Sequence, residues 1–109
     1  MDSQPLVIYC TCPDLMVAER IAATVVGERL AACVNIVPGL TSIYRWEGQV
    51  QRDAELLLLI KTRQAIYPLL ESRIRALHPY QVPEIIALPI QAGSAAYLNW
   101  IAANTGAPV

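Results

Sequence analysis

The feature that most constrains this fold is a continuous apolar run, Leu56-Leu57-Leu58-Leu59-Ile60, inside a segment that spans residues 54–62. Because successive side chains of a β-strand point to opposite faces of its sheet, such a run makes both faces of the strand apolar. We therefore expect this strand at the centre of a sheet that is covered on both sides. The run is much shorter than the ~18–20 residues that a membrane-spanning helix needs, so it predicts no membrane span.

Strands and helices alternate on both sides of this run. The strands are predicted over residues 6–12, 31–37, 54–62 and 84–90, and the helices over residues 13–30, 64–77 and 95–104. β-Branched and apolar residues dominate the strands, whereas apolar residues recur three and four apart in the helices. Pro13-Asp14 starts the first helix, Pro68 is tolerated in the first turn of the second, and Ser94 caps the last. Pro38-Gly39 is predicted to close the second strand, and Pro89 places the last strand at an edge.

Residues 41–53 differ from the rest of the chain, because aromatic and charged side chains are mixed there. Tyr44 and Trp46 alternate with Ile43 and Arg45, and Glu47-Gly48 predicts a tight turn between two strands. We therefore expect a long hairpin arm that projects from the sheet and contacts a neighbouring molecule.

The order β-α-β-β-α-β, followed by one more helix, predicts an α+β protein with a ferredoxin-like fold. Right-handed β-α-β crossovers place the first two helices on one face of a four-stranded antiparallel sheet. The other face is left open, although the central strand is apolar there too. A second copy of the chain that packs its own sheet on this face is the simplest cover, so the sequence predicts an oligomer.

The composition agrees with a single domain, residues 1–109, that assembles with copies of itself. The chain is 55% hydrophobic and 16% charged, against about 45–50% and about 25% in typical soluble domains, so little charge is available to cover its surface. A net charge of −1 gives no electrostatic basis for binding nucleic acid. The start shows no basic and apolar signal segment, and three cysteines without such a signal predict a reduced, cytoplasmic setting with no membrane attachment.

A rigid, polar elbow joins the second helix to the last strand: His78-Pro79-Tyr80-Gln81-Val82-Pro83-Glu84-Ile85. Its two prolines stop both neighbouring elements from continuing through it. The elbow contains the only histidine of the chain, with Tyr80 and Glu84 within a turn or two of it. We expect a functional site at this elbow.

Several segments together resemble the CutA family of divalent-cation tolerance proteins. In chain order they are Ala31-Ala32-Cys33-Val34-Asn35-Ile36, Ser42-x-Tyr44-x-Trp46-x-Gly48, Glu55 to Lys61-Thr62, the elbow from His78 to Ile85, and Tyr97-Leu98-x-Trp100. The resemblance covers nearly the whole chain. It implies a homotrimer of ferredoxin-like protomers, kinship with the trimeric PII signalling proteins, and a role in binding and tolerating copper and other divalent metals.

The resemblance also implies a copper site formed by Cys10 and His78, whose thiolate and imidazole are soft to borderline donors. Cys12 shares a strand face with Cys10 but is not predicted to be a ligand. Some bacterial members of the family have two histidines before the proline, and Leu77 here replaces the first of them, which removes one donor. The alternative is structural: both cysteines are small core residues, His78 caps helix carbonyl groups, and Cys33 belongs to the core.

A second set of residues also matches the family pattern: Tyr44, Trp46, Glu55, Lys61, Tyr80 and Glu84. These residues either pair structurally, with Glu55 beginning the central strand and Lys61 ending it, or line a cleft between subunits that accepts a small ligand. The sequence has no glycine-rich phosphate loop, paired-carboxylate spacing or Cys-x-x-Cys motif, so no enzyme activity is predicted. The leading hypothesis is a copper-binding trimer that acts as a binder or sensor. The second is a PII-like signalling module, and the third is a purely structural trimer.

Overall fold

A computed structural model describes residues 3–107 as a four-stranded antiparallel sheet with three helices. The strands are β1 (Pro5–Cys12), β2 (Cys33–Trp46), β3 (Gln49–Arg63) and β4 (Ile85–Pro89), and the helices are α1 (Leu15–Gly27), α2 (Tyr67–Leu77) and α3 (Ala95–Ala103). The predicted α+β order of elements is confirmed, and the strand order in the sheet is β2-β3-β1-β4. The prediction that the chain lacks a signal segment depends on its first residues, and residues 1 and 2 lie outside the described range.

The apolar run lies in β3, which pairs with β2 on one side and with β1 on the other. Leu58 and Ile60 are fully buried, and they join the core cluster that α1 and α2 form over one face of the sheet. Leu57 and Leu59 point to the opposite face and are half-buried. The predicted central position of this strand is therefore confirmed, whereas the cover on its second face stays a prediction.

The predicted end of the second strand at Pro38-Gly39 is wrong, because β2 continues through these residues into the arm. The pairing of β2 with β3 shifts register between Val37 and Leu40, which marks a β-bulge. Pro38 has no N–H group to donate. This is tolerated because β2 is an edge strand and forms a hydrogen-bond ladder on one side only. The arm ends in the predicted turn, where Glu47 (φ 50°) and Gly48 (φ 76°) both take the positive angles of a type I′ hairpin turn.

Both main helices pack on the same face of the sheet. Ile21 of α1 and Leu70 and Ile74 of α2 are fully buried in one cluster with the β1 side chains. The Asp14 side chain caps α1 by accepting a hydrogen bond from the backbone of Val17 at 2.9 Å. The second helix begins at residue 67 rather than at residue 64, since the segment before it forms a turn, and its proline lies in the first turn as predicted.

The other face of the sheet, which we term the open sheet face, carries mostly apolar side chains. Its apolar side chains include Val7, Tyr9, Leu57, Leu59, Ile86 and Leu88, of which the first four are half-buried and the last two are exposed. The predicted core position of Cys33 is wrong, because this side chain is only half-buried and lies beside Lys61. In the part of the chain that the structure describes, no helix is long and apolar enough to cross a membrane.

The last helix, α3, contacts β1 and β3, and two arginines hold its C-terminal end. Arg29 donates from Nε to the carbonyl oxygen of Gly106 at 2.6 Å and from a terminal nitrogen to that of Ala103 at 2.8 Å. Arg63 donates from Nε to the Thr105 hydroxyl at 2.9 Å. Ser94 caps the start of α3 as predicted, accepting a hydrogen bond from the backbone of Tyr97.

Candidate functional site

A cluster of two thiols and one imidazole lies where β1 meets the end of α2. Cys10 and Cys12 are fully buried at the end of β1, and His78 is buried at the C-terminal end of α2. One potential ligand atom from each of the three residues lies within 4.8 Å of the other two. The structure thus brings together the two predicted ligands and adds Cys12, which sequence reasoning had set aside. The two-residue spacing of the cysteines was the signal, because alternate residues of a strand share a face.

Both ring nitrogens of His78 are already engaged by the backbone. Nε2 lies 2.8 Å from the carbonyl oxygen of Thr11, and Nδ1 accepts a hydrogen bond from the backbone N–H of Tyr80 at 3.2 Å. Because a carbonyl oxygen only accepts, Nε2 carries the proton in this arrangement. A metal ion bound by this ring would therefore replace one of these two hydrogen bonds. The ring does not cap helix carbonyl groups, as the structural alternative predicted, and its two contacts instead fix the elbow to β1.

The proximity of these three groups shifts their pKa values. Hydrogen bonding to Cys12, together with burial, raises the pKa of Cys10 far above its usual value. The hydrogen bond from Cys10, assisted by His78 and opposed by burial, lowers the pKa of Cys12 to about 6. Burial lowers the pKa of His78, but its contacts with Cys12 and the Thr11 carbonyl outweigh burial and raise it. Cys12 is therefore the more readily deprotonated of the two thiols, and thiolate is the form that binds metals.

A second hydrogen bond fixes the elbow to the centre of the sheet. The hydroxyl of Tyr80 donates to Oε2 of Glu55 at 2.6 Å, and the Glu55 side chain is largely buried. Burial and this hydrogen bond raise the pKa of Tyr80, so the hydroxyl stays protonated as a donor. The ring of Tyr80 also lies 4.7 Å from the His78 ring, centre to centre. The thiol cluster and the buried carboxylate are thus linked through one side chain.

A cavity of about 620 Å³, the arm cavity, lies between the elbow and residues 42–46 of the arm. Its walls include Thr11, Ser42 and five of the residues predicted for the cleft: Tyr44, Trp46, Glu55, Tyr80 and Glu84. These residues were predicted to line a cleft between subunits, which stays a prediction; within the single chain, five of them line this one cavity. Tyr44 also donates its hydroxyl proton to Asp53 on the paired strand.

The structure does not bring Lys61 into the arm cavity. Lys61 lies six residues beyond Glu55 in β3, or about 20 Å at ~3.3 Å per residue. Its ammonium group donates to the side chain of Asn35 and lies 3.9 Å from the Cys33 sulfur. The prediction that Glu55 begins this strand and Lys61 ends it is wrong, because β3 begins at Gln49 and ends at Arg63. Within one chain, the cavity therefore contains the predicted acids without the predicted base.

Comparisons with known proteins agree with this fold. A family model described as CutA1 divalent ion tolerance protein matches residues 6–104. A divalent-cation tolerance protein CutA from Thermus thermophilus is 60% identical over 100 residues, which cover 92% of this chain and 97% of that protein. A chloroplastic CutA 1 from rice is 50% identical over 100 residues, and the chain spans 56% of its length. A solved structure of the Thermus thermophilus protein matches with a TM-score of 0.92 and 59% identity, covering 94% of this chain and 99% of that chain.

Proposed function

The chain belongs to the CutA family of divalent ion tolerance proteins, and we propose on this premise that it is a homotrimer that binds a divalent metal ion. Copper is the preferred ion, Cys10 and His78 are ligands, and the protein acts as a binder or sensor in metal tolerance rather than as an enzyme. The observation that carries this proposal is the buried cluster of Cys10, Cys12 and His78, with potential ligand atoms within 4.8 Å of one another.

The donor set of this cluster fits the proposed ion. Two sulfur atoms and one imidazole nitrogen suit copper or zinc, whereas carboxylate and carbonyl oxygens suit magnesium or calcium. Cys12 contributes a third donor beside the two predicted ligands, which compensates for the histidine that Leu77 replaces. Because the pKa of Cys12 is lowered, a metal ion displaces its proton more easily than that of an ordinary thiol.

We expect His78→Ala to weaken Cu(II) binding about tenfold or more, which corresponds to about 1.4 kcal/mol, because it removes the only nitrogen donor of the cluster. Isothermal titration of Cu(II) into the wild type and the variant measures this change. Co(II) titration gives a second readout that does not depend on copper redox chemistry, since bound thiolates produce charge-transfer absorption. Cys33→Ser is the matched control, because Cys33 is a free cysteine outside the cluster. Equal and weak binding by wild type and His78→Ala would contradict the site.

We propose a trimer of ferredoxin-like protomers because the open sheet face is mostly apolar and lies opposite α1 and α2. Light scattering should then give about three times the chain mass of 12.0 kDa, as closed three-fold symmetry requires. A monomer of normal solubility would contradict this assembly, since its apolar sheet face would be exposed to water.

The arm cavity favours a second candidate function, a PII-like signalling module that binds a small ligand. Its volume of about 620 Å³ lies within the ~300–1,000 Å³ typical of ligand pockets. In this function metal effects would be incidental. A thermal-shift screen with a metal chelator present separates the two candidates, because a ligand that stabilises the protein without metal favours the second.

We also propose a cytoplasmic location, because the described cysteines are free thiols and a reducing compartment keeps them so. The rice relative is named as chloroplastic, so location differs within the family's curated names. Cell fractionation with an antibody against the protein tests this, and recovery outside the cytoplasmic fraction would contradict it.

A further inference from the structure

We propose that the arm cavity binds a small organic cation, a protonated amine or a quaternary ammonium group, with Glu55 as its counter-ion. The proposal rests on the second candidate function, small-ligand binding, and names the class of ligand for that cavity. Three observations support this proposal: the aromatic lining of the cavity, the negative charge of that lining and the burial of the Glu55 carboxylate.

The first observation is the aromatic lining. Tyr44, Trp46 and Tyr80 all line the arm cavity, and they come from two separate segments, the arm and the elbow. Tyr44 and Trp46 keep 42% and 38% of their surface exposed in the single chain, so the chain itself does not cover their rings. Aromatic ring faces attract cations by about 0.5–2 kcal/mol each, and clusters of such rings are a general means of recognising ammonium groups.

The second observation is the sign of the charge. Glu55 and Glu84 line the cavity, and none of the described residues that line it is basic. Lys61, the residue predicted to supply positive charge, lies outside this lining and donates a hydrogen bond to Asn35. Asp53 is a third carboxylate nearby, and it accepts a hydrogen bond from the hydroxyl group of Tyr44. A phosphate or carboxylate ligand would meet two carboxylates and no basic side chain among the described residues of the lining, which is costly for a desolvated anion.

The third observation concerns the oxygens of Glu55. The residue is only 7% exposed, and Oε2 accepts the hydrogen bond of Tyr80. Oε1 has no hydrogen-bond partner in the described residues. Every fully buried polar side-chain atom among these residues does have a partner, so Oε1 is not fully buried. Oε1 therefore keeps some accessible surface, and Tyr80, which itself lines the arm cavity, holds the carboxylate at the cavity wall.

These features favour an organic cation over a metal ion. Hard divalent cations take about six or more oxygen ligands, and this cavity offers two carboxylates, of which only Glu55 is buried. Beside the polar side chains of Thr11, Ser42 and Gln81, the wall has aromatic rings and aliphatic groups such as Ile43 and Val82, which suit the carbon surface of an alkylammonium group. The anchoring by Tyr80 also sets the carboxylate in place before a ligand arrives, which lowers the ordering cost of binding.

The test compares three probes built on one benzyl group: benzyltrimethylammonium, benzyl alcohol and benzylphosphonate. They are titrated calorimetrically into the wild-type protein with a metal chelator present. We expect binding of the cation only, and about tenfold weaker binding to Glu55→Gln, which keeps the acceptor for Tyr80 but removes the charge. Glu71→Gln on α2 is the matched control, because it removes the same charge outside the cavity and should bind like the wild type. Trp46→Leu should also weaken binding of the cation. This second variant tests the site even if Glu55→Gln fails to fold.

Each contrary result has a distinct meaning. Binding of the phosphonate at least as strong as that of the cation would overturn the ligand class and leave small-ligand binding intact, with a neighbouring chain supplying positive charge. Equal cation binding by wild type, Glu55→Gln and Trp46→Leu would overturn the site. No binding of any of the three probes would overturn both the cation proposal and the small-ligand function of this cavity.

Discussion

Replacing Leu58 with alanine is expected to lower the free energy of unfolding by about 2–5 kcal/mol, the range for large-to-small changes in well-packed cores. Leu58 is fully buried in the middle of β3 and pairs with Cys10 on β1 and Ile36 on β2. The substitution removes apolar surface and leaves a cavity beneath both helices, because a central strand between two partners cannot shift to fill it. Denaturant unfolding at a fixed protomer concentration measures the loss, since assembly contributes to apparent stability.

Leu69→Ala is the matched control for this prediction. Leu69 lies on α2 and is 62% exposed, so the same chemical change should alter stability by no more than about 0.5 kcal/mol. Equal effects of the two substitutions would show that β3 is not the packed centre of the fold.

Replacing Ile86 with aspartate is expected to dissociate the proposed trimer while leaving the protomer folded. Ile86 lies on the open sheet face beside Tyr9 and is 49% exposed in the single chain. If a neighbouring chain covers this face, the new carboxylate becomes a buried charge without a partner, at a cost of several kcal/mol. If the face remains in water, the same carboxylate costs almost nothing. Light scattering should show the mass falling from about three chains to one, with the circular dichroism spectrum unchanged.

Leu69→Asp provides the control for assembly, because it places the same charge on the helical layer rather than on the open sheet face. It should remain trimeric. A trimeric Ile86→Asp variant would contradict packing through the open sheet face and leave the arm as the remaining candidate contact.

The elements of the fold could be predicted because each depends on neighbouring residues in the chain. The run from Leu56 to Ile60 identified the central strand, Glu47-Gly48 identified the arm turn, and Ser94 identified the start of α3. The prediction was wrong at Pro38-Gly39, where local rules predict an end to the strand. Pairing with β3 carried β2 past this point, since an edge strand tolerates a proline at a bulge.

The sequence by itself determined the alternation of elements, the apolar centre of the sheet and the polar elbow, since these follow from periodicity and from proline. Only the tertiary structure decided which side chains meet. It placed Cys12 beside Cys10 and His78, bound Tyr80 to the buried Glu55, and left Lys61 outside the arm cavity. These contacts join residues from β1, β3 and the elbow that are distant in the chain. Strand register and crossover geometry set their distances, and spacing in the sequence contains neither.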